Sequence, residues 1–401
     1  MSMERDRAGT YVRQPRGYRA FIPKRLPPDP PLVIDQELWT VLSAADRALG
    51  RLDGATEVLP NPDLFVAMYA RREAVLSSQI EGTQASLVDV LEYEADAARK
   101  RLPGDVAEVV NYVAAMNHGL RRLESLPVSL RLIREIHQEL LANVRGGQRS
   151  PGEFRTNQNW IGPPGCTLNQ AAFVPPPPHE MMAALSDLEA FLHTDADLPV
   201  LVNVGLVHAQ FETIHPFVDG NGRVGRLLIT FLLCQRGILR QPLLYLSLYF
   251  TRHKLDYYDR LMAIRDQGDW EGWLKFLLRG VAEVANQATD TARSILQLRE
   301  EHRQLVSEQV RGSANGLRLL DLLYQRPVVT VALIASELAV SNPTANNLVD
   351  QFQAAGLLTE VTGRQRNRLF RYDGYLYLFE DEHPTPAGEP AEADETVTAS
   401  D

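Results

Sequence analysis

Apolar residues recur at every third or fourth position through most of the chain. This spacing is typical of helices that bury one face, and it predicts helices over residues 35–49, 62–82, 105–123, 129–144, 180–192, 198–213 and 282–310. A denser apolar run at 227–233, ended by Gly237, predicts a helix buried on all sides. The pattern therefore predicts a mainly α protein with 198–213 and 227–233 in its core.

Residues with capping chemistry mark the ends of two predicted helices. Asn61 can cap the helix at 62–82, Pro62 fits its first turn, and Gly82 fits its end. Ser129 and Gly146 have the same roles for the helix at 129–144. The amino-acid composition changes between these helices and the predicted core helices. Residues 147–178 are rich in Gly, Pro, Asn and Gln, and their two short runs, 158–161 and 172–174, predict a β-hairpin.

The chemistry is concentrated at 215–226, which reads His-Pro-Phe-Val-Asp-Gly-Asn-Gly-Arg-Val-Gly-Arg. A polar turn that leads into a buried helix leaves unpaired N–H groups and the positive dipole end at its start, and these make an anion site. Gly220 and Gly222 let the backbone approach a phosphate, and Asn221 between them adds a side-chain amide.

Four further side chains in this stretch complete the prediction. Arg223 and Arg226 are three residues apart, so both can clamp phosphate oxygens from one helix face. Asp219 is placed to hold a divalent ion on the same oxygens, and His215 is suited to take a proton near neutral pH. The stretch predicts a site that moves a phosphate-linked group onto a nucleophile. The alternative is a helix-entry loop whose arginines form surface ion pairs.

The stretch resembles the signature of Fic-domain proteins, His-x-Phe-x-Asp/Glu-Gly-Asn-Gly-Arg-x-x-Arg, and matches it at every fixed position. The resemblance implies a Fic-type helical bundle with a β-hairpin flap, and transfer of AMP from ATP to a Ser, Thr or Tyr hydroxyl of a protein. It implies His215 as the catalytic base, Mg²⁺ on Asp219 and Phe217 as a buried anchor. Relatives with Lys in place of the second glycine transfer phosphate, and Gly222 argues against that branch.

A second resemblance concerns the end of the helix at 62–82. A carboxylate in a last helical turn faces the negative dipole end at a cost of about 0.3–1 kcal/mol, so Glu81 is expected to have a cationic partner. The pattern Ser77-x-x-x-Glu81-Gly82 resembles the inhibitory helix that many Fic proteins carry ahead of the Fic core. In those relatives the glutamate pairs with the second signature arginine, here Arg226. The resemblance implies a latch that hinders productive ATP binding.

The resemblance also extends the expected nucleotide site beyond the signature. The flap, 158–176, is expected to dock a target protein by β-augmentation, and the proline run at its end is expected to lie against the nucleotide rather than to bind Pro-recognising domains. His208 is expected to be a structural histidine, and Trp270 and Trp273 to lie in the core. The expected nucleotide-binding residues are Glu81, Phe173, Val174, Pro175, Pro176, Asp219, Gly220, Asn221, Gly222, Arg223, Val224, Gly225, Arg226, Tyr257 and Arg265.

The charged residues are distributed unevenly, with an acidic segment at one end of the chain and a basic segment at the other. Eight acidic residues and no Lys or Arg lie in 380–401, so residues 1–379 carry only −2 of the net charge of −10. We expect a disordered acidic tail at 381–401 and a solvated basic arm at the start. No apolar run approaches the roughly 20 residues of a membrane span, and two cysteines form no disulfide framework. We therefore expect a cytoplasmic protein without membrane contact.

The C-terminal part resembles a winged helix-turn-helix. Three predicted helices (316–325, 331–338 and 341–355) precede a segment at 357–370 with Gly363 at a turn. Thr344, Asn346 and Asn347 are polar candidates for a DNA groove, and Arg364, Arg366 and Arg368 could share one strand face. The unit nevertheless carries a net charge of only +1, so DNA contact through 316–372 and a protein-docking role both stay open.

These observations give a domain organisation and a ranked function. We expect an N-terminal helical region (1–115), a Fic catalytic domain (116–300), a winged helix-turn-helix (310–380) and the acidic tail. The leading hypothesis is a protein adenylyltransferase that modifies a target and itself, inhibited by Glu81. The alternatives are a nucleotide-sensing DNA-binding transcriptional regulator and a hydrolase that removes AMP from protein. A homodimer is possible, and the target is not identified by the sequence.

Overall fold

The computed structural model describes residues 6–57, 62–95, 104–142, 150–163, 165–194, 197–364 and 367–379. Within these ranges the chain is mainly helical, as its hydrophobic pattern predicts. The expected caps Asn61 and Gly146, the wing residue Arg366 and the tail at 381–401 lie outside the described residues. None of the helices in the described ranges is both long and apolar enough to cross a bilayer.

The helices up to residue 310 include all those that the pattern predicts, with some differences in length, and three that it does not predict, at 87–95, 247–252 and 254–267. They are α1 (Gln36–Glu57), α2 (Pro62–Ile80), α3 (Leu87–Ala95), α4 (Gly104–Leu123), α5 (Leu130–Leu140), α6 (Pro178–Leu192), α7 (Val200–Ile214), α8 (Asn221–Gln235), α9 (Ser247–Arg252), α10 (Lys254–Gln267) and α11 (Trp270–Gln309). The Ser129 hydroxyl caps α5 by accepting from the Leu132 N–H at 3.4 Å. α11 begins well before the predicted residue 282, and it contains both Trp270 and Trp273, which are buried as expected.

The core is centred on α7 and α8. Residues 201–214 of α7 and 223–233 of α8 are all buried. α7 packs against α6, α8 and α11. Gly205 allows the close contact with α11, because a Cβ there would lie 2.7 Å from Leu274 and 2.8 Å from Leu277. A helix enclosed on all sides cannot shift without opening the core, so the loop between α7 and α8 is held firmly at both ends.

The N-terminal segment corrects one expectation. β1 (Gly9–Arg13) and β2 (Arg19–Pro23) form an antiparallel hairpin in which Tyr11 lies opposite Phe21. Phe21 is fully buried, and its N–H donates to the Val174 carbonyl at 2.9 Å. Arg7 is buried in an ion pair with Glu271 at 2.9 Å. The expectation of a solvated arm is therefore wrong for Arg7 and Phe21, which distant parts of the chain bury and pair. Arg13, Arg16 and Arg19 are exposed, as a solvated basic segment requires.

The predicted flap hairpin is present in reduced form. Ile161 and Phe173 form a single antiparallel bridge, with N–H to carbonyl distances of 2.8 Å and 3.1 Å. A short 3₁₀ turn, Leu168–Gln170, lies between the two bridged residues. β2 lies beside the second half of this segment through the bond to Val174. The flap is thus connected to the N-terminal hairpin on one side and bridged to itself on the other.

The C-terminal unit has the expected winged helix-turn-helix architecture. It contains α12 (Ser313–Gln325), β3 (Val328–Thr330), α13 (Val331–Leu338), α14 (Asn342–Ala354), β4 (Thr359–Glu360), β5 (Leu369–Arg371) and α15 (Asp373–Leu376). The sheet is antiparallel with strand order β3-β5-β4, and Ser341 caps α14. α12 packs on α2, and the Phe379 ring lies 5.5 Å from that of Tyr69 in edge-to-face geometry. The unit therefore contacts the helix that carries Ser77 and precedes Glu81.

Candidate active site

The connection between α7 and α8 is a tight loop with two left-handed residues. His215, directly after α7, has φ 50° and ψ 61°, and Gly220, directly before α8, has φ 77°. A positive φ is open to glycine but strained for other residues, which explains Gly220 and marks His215 as held in place by its surroundings. α8 begins at Asn221, so its first N–H groups have no helical partner, as an anion site requires.

Asn221 and Phe217 hold this loop together. The Asn221 side chain accepts from the Phe217 N–H at 2.8 Å and donates to the Phe217 carbonyl at 2.9 Å. The amide was expected to point at a phosphate; in the structure both its ends bind the loop instead. Phe217 is fully buried, as expected of an anchor, and stacks on His137 with ring centroids 3.7 Å apart.

The second signature arginine binds the end of α2. Arg226 Nε donates to the Ser77 hydroxyl at 2.7 Å, and Nη2 donates to the Ser77 carbonyl at 3.0 Å and to Glu81 Oε1 at 2.7 Å. Burial raises the pKa of Glu81, but the facing Arg226 outweighs it and holds that pKa below its usual range. A Cβ on Gly222 would lie 2.3 Å from Glu81 Oε1, so the glycine makes room for the pair. The cationic partner expected for Glu81 is therefore present.

The first signature arginine has a different partner. Arg223 Nη1 lies 3.1 Å from Glu108 Oε2 on α4, and Nη2 lies 3.8 Å from Asp219. Both arginines are 3% exposed, so each is a charge taken out of water and held by carboxylates. The alternative that these arginines form surface ion pairs is therefore wrong, because both side chains are buried. A charge is buried this deeply only where it is paired.

His215 lies between these charges and α10. Burial lowers the pKa of its imidazole to about 3, and the positive charges of Arg265 and Arg155 act in the same direction. Its Nδ1 lies 3.9 Å from Glu212 Oε2. The imidazole is therefore neutral at physiological pH and able to accept a proton.

A cavity of about 470 Å³ connects Glu81, His215 and Arg226, whereas the predicted site residues Asp219 and Arg223 are not among the residues that line it. Its wall is formed by the end of α2, the flap, the last turn of α7, the start of α8 and one face of α10. The lining residues are Glu81, Trp160, Ile161, Gly162, Ala172, Phe173, Glu212, His215, Gly222, Arg226, Tyr257, Tyr258, Leu261, Met262 and Arg265. The fold thus brings together the Glu81–Arg226 pair, His215 and the flap, which are far apart in the sequence.

Three family models match the chain. The Fic/DOC family N-terminal model matches residues 39–121, and the Fic/DOC family model matches residues 127–233. The second range contains the whole loop with both arginines. The chain thus contains a Fic N-terminal region and a Fic domain. A model of an HTH DNA binding domain matches residues 317–371, in agreement with the winged helix-turn-helix architecture.

The Fic-domain relatives are similar to this chain over part of their length. A probable protein adenylyltransferase of Aquifex aeolicus (strain VF5) is 29% identical over 181 residues, 44% of this chain and 51% of the relative. Protein adenylyltransferase Fic of Drosophila virilis is 28% identical over 157 residues, 39% of this chain and 29% of the relative. The chain therefore matches about half of one relative's length and less than a third of the other's.

A solved structure shows the same fold. A Fic family protein from Desulfovibrio desulfuricans G20 superposes with a TM-score of 0.55 at 19% sequence identity, covering 85% of this chain and 97% of that one. The likeness extends beyond the range of the Fic domain alone. It supports the observed arrangement of helices around the loop at 215–226.

In this Fic domain, the aromatic and basic residues predicted on α10 line the cavity. Tyr257 is 1% exposed, and its hydroxyl donates to His208 Nε2 at 2.9 Å while His208 Nδ1 donates to the Gly225 carbonyl at 2.9 Å. His208 is thus a satisfied structural histidine, as expected. Arg265 lies with its guanidinium carbon 3.8 Å from the Phe173 ring centroid, and its Nη2 donates to the Glu212 carbonyl at 3.2 Å. Tyr258 is half-exposed beside Tyr257, so it is the more accessible of the two rings.

Other predicted ligands are placed away from the cavity wall. The carbonyls of Val174, Pro175 and Pro176 accept bonds from Phe21, Gln158 and Arg155 respectively. Val224 is fully buried in the first turn of α8, and Gly225 faces Glu212. Among the four nucleotide-binding residues predicted at 173–176, only Phe173 lines the cavity.

Asp219 is the residue that fits a magnesium ion. Its carboxylate is 35% exposed, and Oδ1 accepts from the Gly220 N–H at 2.7 Å. Among the described residues no group of three His, Cys, Asp or Glu side chains is placed to hold a metal. Mg²⁺ is commonly held by one or two carboxylates together with substrate phosphates, so one accessible carboxylate beside an anion site is compatible with it.

Sequence reasoning missed two residues that hold the loop from outside. Gly152 N–H donates to His137 Nδ1 at 2.8 Å, which leaves Nε2–H to donate to the Asp219 carbonyl at 3.0 Å. Arg155 Nε donates to the His215 carbonyl at 2.9 Å. Each is a single polar residue in its own segment, so neither has a local pattern that could have identified it.

Proposed function

We propose that this Fic-domain protein transfers AMP from ATP to a Ser, Thr or Tyr hydroxyl of a target protein, and to itself. The observation that carries the proposal is the convergence of His215, Gly222 and Arg226 on one cavity at the start of α8. A base, a closely approachable backbone and a buried cation are what the transfer of a phosphate-linked group requires. The adenylyltransferase names of the relatives from Aquifex aeolicus and Drosophila virilis support the same reaction.

In the proposed reaction the hydroxyl oxygen of the target attacks the α-phosphorus of ATP, and its proton passes to His215. The new oxygen–phosphorus bond forms as the bond to the oxygen that bridges to the β-phosphate breaks, and pyrophosphate leaves with that electron pair. Bound triphosphate would offset the positive charges of Arg155 and Arg265, which lower the pKa of His215. The pKa would therefore rise towards neutrality, where a general base is most effective.

The two buried arginines would stabilise the charge that develops on pyrophosphate. Arg223 is held by Glu108, and Arg226 is held by the hydroxyl and the carbonyl of Ser77, so both positive charges keep their places when Glu81 is displaced. Charges fixed in advance stabilise a transition state without a reorganisation cost. Asp219 would hold Mg²⁺, which when bound supplies further positive charge to the phosphate oxygens.

We further propose that Glu81 inhibits the reaction. Its carboxylate occupies Nη2 of Arg226, the donor that a terminal phosphate oxygen would need. It also lies against Gly222, where the phosphate chain would approach the backbone. Because an anion already fills this position, a bound triphosphate must either displace Glu81 or bind in an unproductive arrangement.

The target segment would lie along the flap, with its hydroxyl directed to His215.

The first test compares wild type, Glu81→Gly and Glu81→Gly/His215→Ala with ATP labelled on the α-phosphate. We expect weak self-labelling of wild type, an increase of about tenfold or more in Glu81→Gly, and none in the double variant. Gln79→Gly is a matched control, because it adds a glycine to the same turn and leaves Glu81 in place. ATP labelled on the γ-phosphate should give no label.

Two results would overturn the proposal. Label from the γ-phosphate would indicate phosphate transfer. No label on any protein in a cell lysate treated with Glu81→Gly would exclude AMP transfer as the activity. Mass spectrometry of the labelled lysate would identify the target and the modified residue type.

A second candidate is a DNA-binding regulator that senses nucleotide through the Fic domain. The match of residues 317–371 to an HTH DNA binding domain favours it, as does the exposure of Thr344 and Asn347 on α14. Selection of duplex DNA by the full chain, with and without ATP, would test this reading. Nanomolar, sequence-selective binding together with no AMP transfer would favour the regulator.

A further inference from the structure

Two buried polar groups beside the loop face each other without partners. His215 Nδ1 and Glu212 Oε1 are both buried, and neither makes a hydrogen bond of good geometry among the described residues, although the Glu212 backbone carbonyl lies close enough to act on the imidazole. The other carboxylate oxygen, Glu212 Oε2, lies 3.9 Å from Nδ1. Unsatisfied polar atoms are rare in protein interiors and cost about 1–3 kcal/mol each. Unsatisfied buried polar groups of this kind occur at functional sites, where the group serves binding or catalysis.

Burial and the helix dipole both make the position of Glu212 unfavourable for a carboxylate. Glu212 lies in the last turn of α7, where the helix dipole opposes negative charge. It is 6% exposed, and burial raises its pKa to about 7. The room for it depends on Gly225, at a position that the signature leaves open, since a Cβ there would lie 2.4 Å from Glu212 Oε1. The fold therefore accommodates this carboxylate at a specific place next to His215.

We infer that Glu212 is a positioning residue for His215: its carboxylate receives the Nδ1–H of the imidazole and so presents Nε2 to the cavity as the proton acceptor. This inference rests on the proposed AMP transfer. The 3.9 Å separation lies beyond hydrogen-bond length and needs only a small side-chain movement to close. Contacts of this kind are often long in a free enzyme and shorten when the substrate is bound.

The proton balance of the step is simple. The proton of the target hydroxyl moves to Nε2 while the hydroxyl oxygen forms its bond to the α-phosphorus, and the imidazole becomes an imidazolium. The Nδ1–H stays on the ring, and the Glu212 carboxylate stabilises the positive charge without taking the proton. After pyrophosphate has left, Nε2 releases its proton to solvent or to the product phosphates, and the neutral tautomer is restored.

The charges around the pair explain why a carboxylate is needed. Arg155 and Arg265 face His215 and disfavour its protonated form, whereas Glu81 favours it. Glu212 itself faces Arg226, Glu81 and Arg265. When Glu81 leaves to admit the nucleotide, Glu212 is the carboxylate that remains against the imidazole. The backbone carbonyl of Glu212 also acts on His215 and is the competing acceptor for Nδ1–H.

The test uses the full chain with Glu81→Gly as the active background. Adding Glu212→Gln keeps the size of the side chain and removes its charge, and we expect kcat for self-modification to fall about 100-fold with KM for ATP changed less than threefold. Glu212→Asp, with the charge on a shorter stem, should give an intermediate kcat. An unchanged kcat in Glu212→Gln would overturn the inference and assign the orienting role to the backbone carbonyl.

A spectroscopic readout keeps the inference testable if Glu212→Gln folds poorly. Nitrogen-15 NMR of histidine-labelled Glu81→Gly should show His215, assigned by its absence in His215→Ala, as the Nδ1–H tautomer. A protonated Nε2 in the neutral ring would overturn the inference. Failure of Glu81→Gly to label anything would instead refute the proposed AMP transfer, so the two failures are distinguishable.

Discussion

The Fic loop (residues 215–226) and the winged helix-turn-helix both contain arginines, but the two regions differ in how far these arginines are buried. Arg223 and Arg226 are 3% exposed and take carboxylate partners from α4 and from the end of α2. On the wing, Arg368 pairs with Glu360 and Arg371 with Asp373, and these four side chains are about a quarter to a half exposed. The first region has its cations in the interior beside a cavity, and the second neutralises them at the surface.

This difference indicates where charge matters for function. A buried pair costs several kcal/mol of desolvation per ion and is strongly destabilised when one partner is removed. A surface pair contributes about 0–1 kcal/mol. The Fic loop therefore keeps costly charges beside the proposed nucleotide site. The wing carries arginines whose charge is already cancelled, which weakens the argument for DNA contact.

The largest expected effect comes from the buried cation. Arg226→Ala in the Glu81→Gly background should lower the rate of AMP transfer by at least about 100-fold, because the charge that stabilises pyrophosphate is lost. The rate of α-label incorporation measures this. Arg236→Ala, at the other end of α8 where Nη2 donates to the Leu192 carbonyl at 3.2 Å, is the control and should stay within twofold. Equal losses in both variants would indicate damage to α8 rather than to the site.

A pH dependence of stability should come from the Fic region. Burial lowers the pKa of His137 and of His208 to about 4 in the folded protein, against an unfolded value near 6.5. At these two residues the unfolded chain binds more protons between these values, so the stability that the two histidines contribute is complete above about pH 6.5 and is lost as the pH falls towards 4. The raised pKa of Glu212 acts in the opposite direction over part of this range. Each histidine accounts for up to about 3 kcal/mol.

Melting temperatures between pH 4 and pH 7 measure this effect. His208→Gln should flatten the slope, even if it lowers the melting temperature at pH 7. A slope that persists unchanged in His137→Gln and in His208→Gln would place the titrating groups elsewhere.

The smallest expected effect concerns the wing. Glu360→Gln with Asp373→Asn removes the partners of Arg368 and Arg371. If the wing faces a phosphate backbone, the affinity for duplex DNA at low salt should rise by about tenfold and fall more steeply with salt. Fluorescence anisotropy with a short duplex measures this. Glu283→Gln with Asp290→Asn, which removes two surface partners on α11, is the matched control and should change little.

Local sequence predicted the features that depend on neighbouring residues. Ser129 caps α5 because capping requires only a hydroxyl and the N–H three residues on. The apolar runs in α7 and α8 predicted burial, and the glycines at 220 and 222 predicted a tight turn with close backbone approach. The resemblance of Ser77-x-x-x-Glu81-Gly82 to an inhibitory helix predicted the pairing of Glu81 with Arg226, and the structure places these two side chains 2.7 Å apart.

Features that depend on distant residues were missed or wrong. The segment 6–23 reads as a basic arm, yet Phe21 packs near the flap and Arg7 binds Glu271. The amide of Asn221 reads as a phosphate ligand, yet the loop geometry directs it back to Phe217. These contacts join residues that are distant in the sequence, so no pattern among neighbouring residues predicts them.

The sequence by itself determined the helical architecture and the tight turn before α8, and it supplied His215, Arg223 and Arg226 as the residues of the proposed site, because periodicity and spacing within a helix are local properties. Only the tertiary structure decided that Glu212 lies behind His215, that Arg155 and His137 hold the loop, and that the C-terminal unit contacts α2. The physical reason is burial: desolvation and charge pairing depend on what the rest of the chain packs around a residue.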